Sequence, residues 1–311
     1  LIVSRCSVGA EHPAAHLRLL VHAKTHVIAP DSSRGDPVSR LVLPVCHFFA
    51  TASVFQTFLK VMASRFFEGR LVLVTGGGSG IGRCVCHALA REGSRVIVAD
   101  IDLNAAEATL GSLPGTNHIA LQVDVGESKS VTALFESISK LCSQPASIVI
   151  NCAGMGMKTT DLVDLTEKYF DDIIRVNTKG TFLVNQAAAR AMTAGSVRDG
   201  AIVNIASLEA TQCSPGWSAY AAAKAGVVAL TKVAAKELAS LGIRVNCVLP
   251  TVTDTPMSAP GKHTEERKKL LESIPLKRPC RPEEVTEVIL FLCGPGSSFM
   301  TGAAVDISGG L

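Results

Sequence analysis

The sequence predicts an α/β protein with a doubly wound parallel sheet of about seven strands and helices on both faces. From residue 70 to the end of the chain, short apolar runs alternate with longer amphipathic segments. The apolar runs are nearly continuous, which is typical of parallel strands that are buried on both sides. The right-handed crossovers that join such strands place helices on both faces of the sheet.

Each apolar run is bounded by turn residues and is short enough to be one strand. The expected strands are 70–75, 95–100, 118–124, 147–154, 200–207, 243–250 and 303–310. Helical segments lie between them. The longest begins near Trp217, is rich in good helix formers and ends at Gly242. Because no internal repeat or long low-complexity linker interrupts this alternation, residues 62–311 are expected to form one domain.

Composition and charge exclude several classes of protein. The 311 residues are 47% hydrophobic and 18% charged, which is typical of a globular chain with a sizeable core. Residues 62–311 contain 24 basic and 24 acidic residues, so they lack the basic surplus of a nucleic-acid-binding protein. The ten cysteines include no CxxC pair, and Cys84 and Cys86 are too close for the usual zinc spacings. We expect buried, reduced thiols and no metal site.

The first 61 residues differ from the rest of the chain. The first methionine is Met62, and "MASRFFEGRLVLVTGGG" leads from it directly into the first strand. Residues 1–61 are therefore expected to be, in order of preference, sequence that the mature protein lacks, a targeting or disordered segment, or a membrane anchor. The anchor hypothesis rests on 41–59, which is uncharged but contains proline and polar residues. A targeting role would place the protein in the mitochondrial matrix, and the alternative location is the cytoplasm.

A glycine-rich turn, "TGGGSGIG" at 75–82, follows the first strand and opens a helix. Gly76, Gly80 and Gly82 would permit a tight turn that lets a pyrophosphate approach the backbone. The following helix N-terminus would supply N–H donors and a partial positive charge. Taken alone, the pattern is also compatible with an ordinary strand-to-helix turn.

An acid at the end of the second strand strengthens the dinucleotide interpretation. Asp100 lies 18 residues after Gly82, where a carboxylate can bind both ribose hydroxyls. A carboxylate there would repel a 2′-phosphate, and Asp102 would add to the repulsion. Arg83 follows the turn but lies on the helix. The sequence therefore favours NAD(H) over NADP(H).

The segment "SAYAAAK" at 218–224 contains one of only two tyrosines in the chain. Tyr220 and Lys224 are spaced i, i+4, which places them on one helix face. An ammonium beside a phenol favours the phenolate, so we expect a lowered pKa for Tyr220 and a role in general acid–base catalysis. The alternative is a chance pair on an amphipathic helix.

These motifs occur in a specific order: the TGxxxGxG turn, Asp100, "VDV", an NxAG motif, the Asn of "VNTKG", a Ser and YxxxK. In this combination residues 70–311 resemble the short-chain dehydrogenase/reductases. The phrases "VNTKGTFLVNQAAA" and "MTGAAVDISGG" resemble the branch that holds 3-oxoacyl-[acyl-carrier-protein] reductases and estradiol 17β-dehydrogenase type 8. The resemblance implies a Rossmann fold, a homo- or hetero-tetramer and a place in fatty acid biosynthesis and lipid metabolism.

The resemblance also implies a role for each matching residue. Tyr220 would donate a proton to a substrate carbonyl, Lys224 would bind the nicotinamide ribose and lower the pKa of Tyr220, and Ser207 would hydrogen-bond the carbonyl oxygen. Asn177 would hold a water molecule in a proton relay. The implied NAD(H)-binding residues are Gly76, Ser79, Gly80, Ile81, Gly82, Asp100, Asp124, Val125, Asn151, Ala153, Gly154, Tyr220, Lys224, Thr253 and Thr255.

Two positions depart from the family pattern. Cys152 stands where the family usually has a second Asn, and Thr251 stands where it usually has Gly. Because the segment that contains Thr251 would pass the nicotinamide, a β-branched residue there is expected to shift this segment. The variable lid at 256–282 carries six cations that would receive an acyl carrier protein or coenzyme A, unless they form a solvated helix face. They are Lys262, Arg267, Lys268, Lys269, Lys277 and Arg278.

The expected function is NADH-dependent reduction of 3-oxoacyl thioesters carried by acyl carrier protein or coenzyme A. Oxidation of 17β-hydroxysteroids with NAD is a further activity that the resemblance implies. One alternative is a dehydrogenase of another small secondary alcohol or a sugar. The other is a cofactor-binding structural subunit of a hetero-oligomeric reductase, which the intact set of Ser207, Tyr220 and Lys224 disfavours.

Overall fold

The computed structural model describes residues 66–156, 158–258 and 265–311. Seven strands in this part of the chain form one sheet with the order β3-β2-β1-β4-β5-β6-β7. Every neighbouring pair is parallel. The strands are β1 Leu71–Thr75, β2 Arg95–Asp100, β3 Ile119–Gln122, β4 Ile148–Asn151, β5 Gly200–Ile205, β6 Ile243–Pro250 and β7 Ala304–Ile307.

The helices connect consecutive strands and cover both faces of the sheet. They are α1 Gly80–Arg91, α2 Leu103–Leu110, α3 Ser128–Leu141, α4 Glu167–Ile174, α5 Gly180–Ala194, α6 Glu209–Gln212, α7 Ser218–Leu238, α8 Glu265–Ser273 and α9 Pro282–Cys293. One π-helical turn, Arg175–Lys179, joins α4 to α5. The predicted fold class and all seven predicted strands are therefore confirmed.

Strand β1 illustrates how the sequence builds this core. All five of its residues are buried. Val72 and Val74 pack into one hydrophobic cluster with α1 and α9, whereas Leu71 and Leu73 pack into a second cluster with α3 and α5. Burying such a side chain stabilises the fold by about 1.5–3 kcal/mol, so apolar residues on both faces of the strand contribute.

The order of the strands creates a crevice. From β1 the chain moves outward to β2 and β3, returns to β4 on the other side of β1 and continues outward to β7. The connection after β1 therefore leads toward one edge of the sheet, and the connection after β4 leads toward the other edge. In open α/β sheets, ligands bind at the carboxyl ends of the strands where the order reverses.

Several predicted strands extend too far at their carboxyl ends. Asp124, the last residue of the expected third strand, lies two residues after β3, and Ser207 likewise lies two residues after β5. The sequence continues to look strand-like there because the residues that border the crevice remain apolar or small. These short extensions supply the side chains of the site.

Within the described ranges, no helix has the length and apolarity needed to cross a membrane. No group of three or more His, Cys, Asp or Glu residues in the same ranges is arranged to hold a metal ion. The expected domain start at Met62 and the anchor hypothesis for 41–59 lie outside the described residues.

Candidate active site

A cavity of about 350 Å³ lies at the carboxyl ends of the strands. It is lined by residues that are far apart in the chain and meet only in the fold. Gly82 and Asn151 lie outside its lining. The other fifteen predicted site residues line it, namely Gly76, Ser79, Gly80, Ile81, Asp100, Asp124, Val125, Ala153, Gly154, Asn177, Ser207, Tyr220, Lys224, Thr253 and Thr255.

The glycine turn is packed too closely for any side chain at two of its positions. Gly76 has φ +68°, and a Cβ atom there would lie 2.7 Å from the backbone nitrogen of Ala153. A Cβ atom on Gly82 would collide with the carbonyl oxygen of Gly76. Gly82 therefore packs the helix against the turn rather than facing the cavity.

The N-terminus of α1 is open toward the cavity. Ser79 precedes the helix in an extended conformation, its side chain makes no capping hydrogen bond, and the first turn contains no acidic residue. The free N–H groups and partial positive charge of such a terminus fit an anion. Together with the glycine turn, this arrangement fits the pyrophosphate of a dinucleotide.

Asp100 is held in place at the end of β2. Its Oδ2 accepts a hydrogen bond from the Gly78 backbone N–H at 2.8 Å, and its Oδ1 accepts one from the Asp102 N–H at 3.1 Å. The Asp102 carboxylate instead caps α2 by accepting the N–H groups of two residues in its first turn. The Asp102 side chain does not line the cavity, so Asp100 alone carries the expected repulsion of a 2′-phosphate.

Arg83 is also engaged away from the cavity. Its Nε donates to the Thr109 Oγ1 at 2.9 Å, and its Nη2 donates to the Gly78 carbonyl oxygen. The guanidinium therefore fastens α1 to α2 and to the glycine turn, in agreement with its expected position on the helix.

Asp124 follows β3 and is bound to a residue that the sequence reasoning missed. Its Oδ1 accepts the Gly126 N–H at 2.8 Å, and its Oδ2 lies 3.1 Å from Nη1 of Arg175. The side chains are 29% and 33% exposed, so solvent weakens this ion pair. The two residues are 51 positions apart. Nothing in that spacing predicts the contact.

Tyr220 and Lys224 lie on one face of α7 and are both buried. The Lys224 Nζ lies 5.6 Å from the centre of the Tyr220 ring and donates to the Ile205 carbonyl oxygen at 2.8 Å. Burial raises the pKa of Tyr220 to about 12, although a hydrogen bond with Ser207 acts in the opposite direction. Burial lowers the pKa of Lys224 to about 8.

The expectation of a lowered pKa for Tyr220 is therefore wrong for this structure. Removing the phenolate from water disfavours the charged form more than its neighbours favour it. The Lys224 ammonium donates to a backbone carbonyl. Burial also lowers the pKa of Lys224, which disfavours its charged form. The helical spacing correctly predicts the juxtaposition but says nothing about desolvation.

Asn177 lies in the π-helical turn and is 1% exposed. Its Nδ2 donates to the carbonyl oxygens of Met155 and Ile173 at 3.1 and 3.2 Å. Its buried Oδ1 has no hydrogen-bond partner among the described residues. A Cβ atom placed on Gly154 would lie 2.8 Å from that oxygen and 3.7 Å from the Lys224 Nζ. An unused acceptor and an ammonium therefore flank the same small space.

Asn151 is buried at the end of β4, behind the cavity wall. Its Nδ2 donates to the Oδ1 of Asn185 at 2.7 Å and to the Oδ1 of Asn204 at 2.8 Å. Asn204 in turn donates to the Thr231 Oγ1 at 2.9 Å. Asn151 thus ties β4 to α5, β5 and α7 instead of contacting the cavity.

The two departures from the family pattern are both accommodated. Cys152 lines the cavity, and burial raises the pKa of its thiol to about 12, which keeps it protonated at neutral pH. Thr251 does not have a positive φ, so its backbone has no need of glycine. Its N–H donates to the Ile307 carbonyl at 3.1 Å, and its own carbonyl accepts the Thr253 hydroxyl at 3.0 Å.

The cavity is also lined by residues that the predicted set lacked. They include Glu209, Gln212, Trp217, Met257 and Leu270. Trp217 stands where the longest helix was expected to begin, and its Nε1 donates to the Thr159 Oγ1 at 3.2 Å. The others carry no motif, and only the fold brings them to the site.

The lid cations within the described residues are partly engaged. Arg278 pairs with Glu284 at 2.6 Å, and Arg267 donates to the Ser258 carbonyl at 3.0 Å. Lys262 lies outside the described residues. These contacts reduce the number of cations that are available to an acidic partner.

Comparison with known proteins agrees with this geometry. The sequence model of the family described as Enoyl-(Acyl carrier protein) reductase matches residues 76–311. The chain is 43% identical over 254 residues to a (3R)-3-hydroxyacyl-CoA dehydrogenase from Homo sapiens, a match that covers 78% of this chain and 95% of the relative. It is 38% identical over 248 residues to a 3-oxoacyl-[acyl-carrier-protein] reductase from Thermotoga maritima, covering 78% and 98%.

A solved structure shows the same architecture. The 3-ketoacyl-(acyl-carrier-protein) reductase from Brucella melitensis, complexed with NADH, is 33% identical and superimposes with a TM-score of 0.72, covering 78% of this chain and 98% of that one. The family match, the curated relatives and the parallel sheet with its glycine turn lead to one conclusion. The chain belongs to the short-chain dehydrogenase/reductase family and is an oxidoreductase.

Proposed function

We propose that the protein is an NAD(H)-dependent oxidoreductase that reduces 3-oxoacyl thioesters to 3-hydroxyacyl thioesters and catalyses the reverse oxidation. The observation that carries the proposal is that Ser207, Tyr220 and Lys224 line one cavity beside a glycine-rich turn that fits a dinucleotide. The names of the curated relatives supply the acyl thioester class.

The side chains of the site account for the proton transfer. Because burial raises the pKa of Tyr220 to about 12, the phenol keeps its proton at neutral pH and can donate it to a carbonyl oxygen. Ser207 Oγ accepts the Glu209 N–H at 3.2 Å, and the Ser207 hydroxyl, which bonds Tyr220 in this structure, would turn its proton toward the same carbonyl oxygen. Two donors then stabilise the negative charge that develops there. A bound nicotinamide would supply the hydride.

Lys224 and Asn177 are placed to orient the cofactor ribose and to return a proton to Tyr220. Both flank the small space at Gly154, and the Asn177 Oδ1 has an unused acceptor position there. A water molecule in that space would satisfy the oxygen and would connect it to the ammonium. Residues Gly76, Ser79 and Asp100 would hold the pyrophosphate and the adenosine ribose.

Asp100 supports NAD(H) rather than NADP(H). Both of its carboxylate oxygens are oriented by backbone N–H groups, and Arg83 is engaged elsewhere. A fixed negative charge at this position favours two ribose hydroxyls over a 2′-phosphate. The solved Brucella reductase was complexed with NADH, which agrees with this choice.

The proposal is tested by following NADH oxidation with acetoacetyl-CoA and repeating the assay with NADPH. Tyr220→Phe removes the proton donor but keeps the ring, so we expect kcat/KM to fall by about 10²–10⁴-fold. NADH binding, measured by calorimetry, should stay within about twofold because the ring and Lys224 remain. Full activity in the variant would contradict the role of Tyr220, and absence of turnover in the wild type would contradict the substrate.

Tetramer formation is a proposal that rests on the family resemblance, and docking of acyl carrier protein rests on that resemblance and on the lid cations. A mitochondrial location is a proposal that rests on the targeting interpretation of residues 1–61. Oxidation of a steroid 17β-hydroxyl is also a proposal that rests on the family resemblance. It is tested by an assay with estradiol and NAD⁺. Sedimentation at micromolar concentration tests the tetramer independently of the activity.

A further inference from the structure

Glu209 is a buried carboxylate at the substrate end of the cavity that the mechanism leaves unused. It is 8% exposed and lies two residues after Ser207, at the start of α6. The residue lines the same cavity as Tyr220 and Trp217. A carboxylate is rarely buried without a positive partner, so this position requires an explanation.

The carboxylate is held by neutral groups only. Its Oε2 accepts the Ser214 N–H and its Oε1 accepts the Ser214 hydroxyl, both at 2.9 Å. No Lys, Arg or His in the described part of the chain lies within ion-pair distance of it. Its negative charge is therefore fixed in position and is not neutralised by an ion pair.

That charge acts on the reacting end of the cavity. Glu209 donates its N–H to the Ser207 Oγ and contributes to the raised pKa of Tyr220 through its negative charge. Among the described residues that line the cavity, Lys224 alone is cationic, and its ammonium is directed at the Ile205 carbonyl. A second anion that entered beside Ser207 and Tyr220 would meet repulsion in a poorly solvated space.

We propose that Glu209 is a specificity-determining residue that excludes substrates carrying a carboxylate close to the reacting carbonyl. Esters and thioesters of 3-oxo acids are neutral at that position and are accepted. Free 3-oxo acids are anionic there and are rejected. Like-charge repulsion of this kind is a common means of rejecting a competing ligand. The inference refines the proposed function by naming how the site distinguishes an acyl thioester from its hydrolysis product.

The test compares ethyl acetoacetate with acetoacetate, which share the ketone and differ in charge. Their kcat/KM values with NADH are measured for the wild type and for Glu209→Gln, which keeps the size of the side chain. We expect the ester-to-acid ratio to fall by about tenfold or more in the variant. An unchanged ratio overturns the inference.

Two matched variants separate charge from loop packing. Glu209→Asp keeps the charge and should keep a high ratio, and Ser214→Ala removes one hydrogen bond but leaves the carboxylate and should do the same. A fall in the ratio in either variant would show that the loop conformation, and not the charge, sets the selectivity. If Glu209→Gln does not fold, Gln212→Lys supplies a compensating charge on the same cavity wall and should lower the ratio.

A binding readout keeps this test separate from the proposed function. Trp217 is the only tryptophan in the chain and lines the cavity, so quenching of its fluorescence reports binding of either ligand without turnover. A wild type that binds the ester more tightly than the acid, with the difference lost in Glu209→Gln, supports the inference even if acetoacetyl-CoA is not reduced. Equal affinities of the wild type for both ligands overturn it.

Discussion

At the scale of single residues, the chemistry of the site depends on burial more than on pairing. Tyr220 and Lys224 are both enclosed by protein, and burial favours the uncharged form of each. A protonated phenol suits donation to a carbonyl oxygen. Burial lowers the pKa of Lys224 to about 8, and an anionic or polar ligand beside the ammonium would raise this pKa again. At neutral pH the buried phenol is uncharged in both the folded and the unfolded chain, so only the Lys224 ammonium is kept at a cost in stability.

That cost has a defined pH dependence. The pKa of Lys224 is lowered from 10.5 to about 8, so between these values the unfolded chain binds a proton that the folded chain does not. The free energy of unfolding contributed by Lys224 therefore rises with pH across this window. We expect the wild type to gain about 1–3 kcal/mol relative to Lys224→Met between about pH 8 and about pH 10.

Urea unfolding of the two ligand-free proteins measures this difference. The cysteine thiols titrate in this range in the unfolded chain, and because both proteins contain them, most of their effect is common to the two. Lys236→Met makes the same substitution at an exposed position of α7 and should show no such pH dependence relative to the wild type. A difference between the wild type and Lys224→Met that stays constant with pH would contradict the buried, deprotonating lysine.

Asp100 carries the prediction on cofactor choice. Asp100→Asn removes the charge and keeps an oxygen that can accept the Gly78 N–H. We expect the ratio of kcat/KM for NADPH to that for NADH to rise by about tenfold or more, because the repulsion of the 2′-phosphate is lost. Asp102→Asn is the control, since that carboxylate caps α2 and should leave the ratio nearly unchanged. Equal changes in the two variants would exclude a specific role for Asp100.

The residues that sequence reasoning found are those fixed by local geometry. The glycine turn, the strand-end Asp100 and the helical spacing of Tyr220 and Lys224 can all be read without knowledge of tertiary structure. Glu209 and Arg175 have no such signal. Arg175 meets Asp124 across 51 positions of the chain, and Glu209, although it bonds the nearby Ser214, reaches the cavity only through the position of α6. No short pattern specifies either arrangement.

At the scale of secondary-structure elements, Arg244 fastens the end of α9 to the sheet. It lies at the amino end of β6, opposite the cavity. Its Nη1 donates to the carbonyl oxygens of Leu292, Ser297 and Met300, and its Nη2 donates to those of Cys293 and Gly294, at 2.8–3.3 Å. One guanidinium thus satisfies several of the carbonyl groups that a helix end leaves without partners.

Loss of this contact should destabilise the fold without disturbing the site. We expect Arg244→Met to lower the free energy of unfolding by about 2–4 kcal/mol, because buried carbonyl groups lose their donors. Urea unfolding measures this loss, and kcat/KM at low temperature should stay near the wild-type value. Arg190→Met, at an exposed position of α5, should change stability by less than about 0.5 kcal/mol. A similarly small effect at Arg244 would contradict the account.

The elements themselves were largely predictable. Strand-length apolar runs and the alternation with helices follow from local composition, and all seven strands occur where expected. The π-helical turn at Arg175–Lys179 was not predictable, since α4 and α5 read as one continuous helix. A widened turn of this kind is often found at functional sites, and here it contains the buried Asn177.

At the scale of the whole molecule, the strand order explains why one crevice holds every reactive group. Asp100 ends β2 and Asp124 follows β3 on one side of β1, whereas Ser207 and Glu209 follow β5 on the other. The dinucleotide-binding residues and the reacting residues therefore meet at the point where the chain reverses direction. This arrangement leads to the central claim that a hydride and a proton reach the same substrate carbonyl.

The most direct test is to reduce acetoacetyl-CoA with NADH in which both hydrogens at C4 of the nicotinamide are deuterium and to analyse the product by mass spectrometry. The account predicts one deuterium at C3 of 3-hydroxybutyryl-CoA and about 10²–10⁴-fold less product with Tyr220→Phe. Crotonyl-CoA, an enoyl thioester without a ketone, should take up no deuterium. Label incorporated into crotonyl-CoA but not into acetoacetyl-CoA would contradict carbonyl reduction and would assign the protein to enoyl reduction instead.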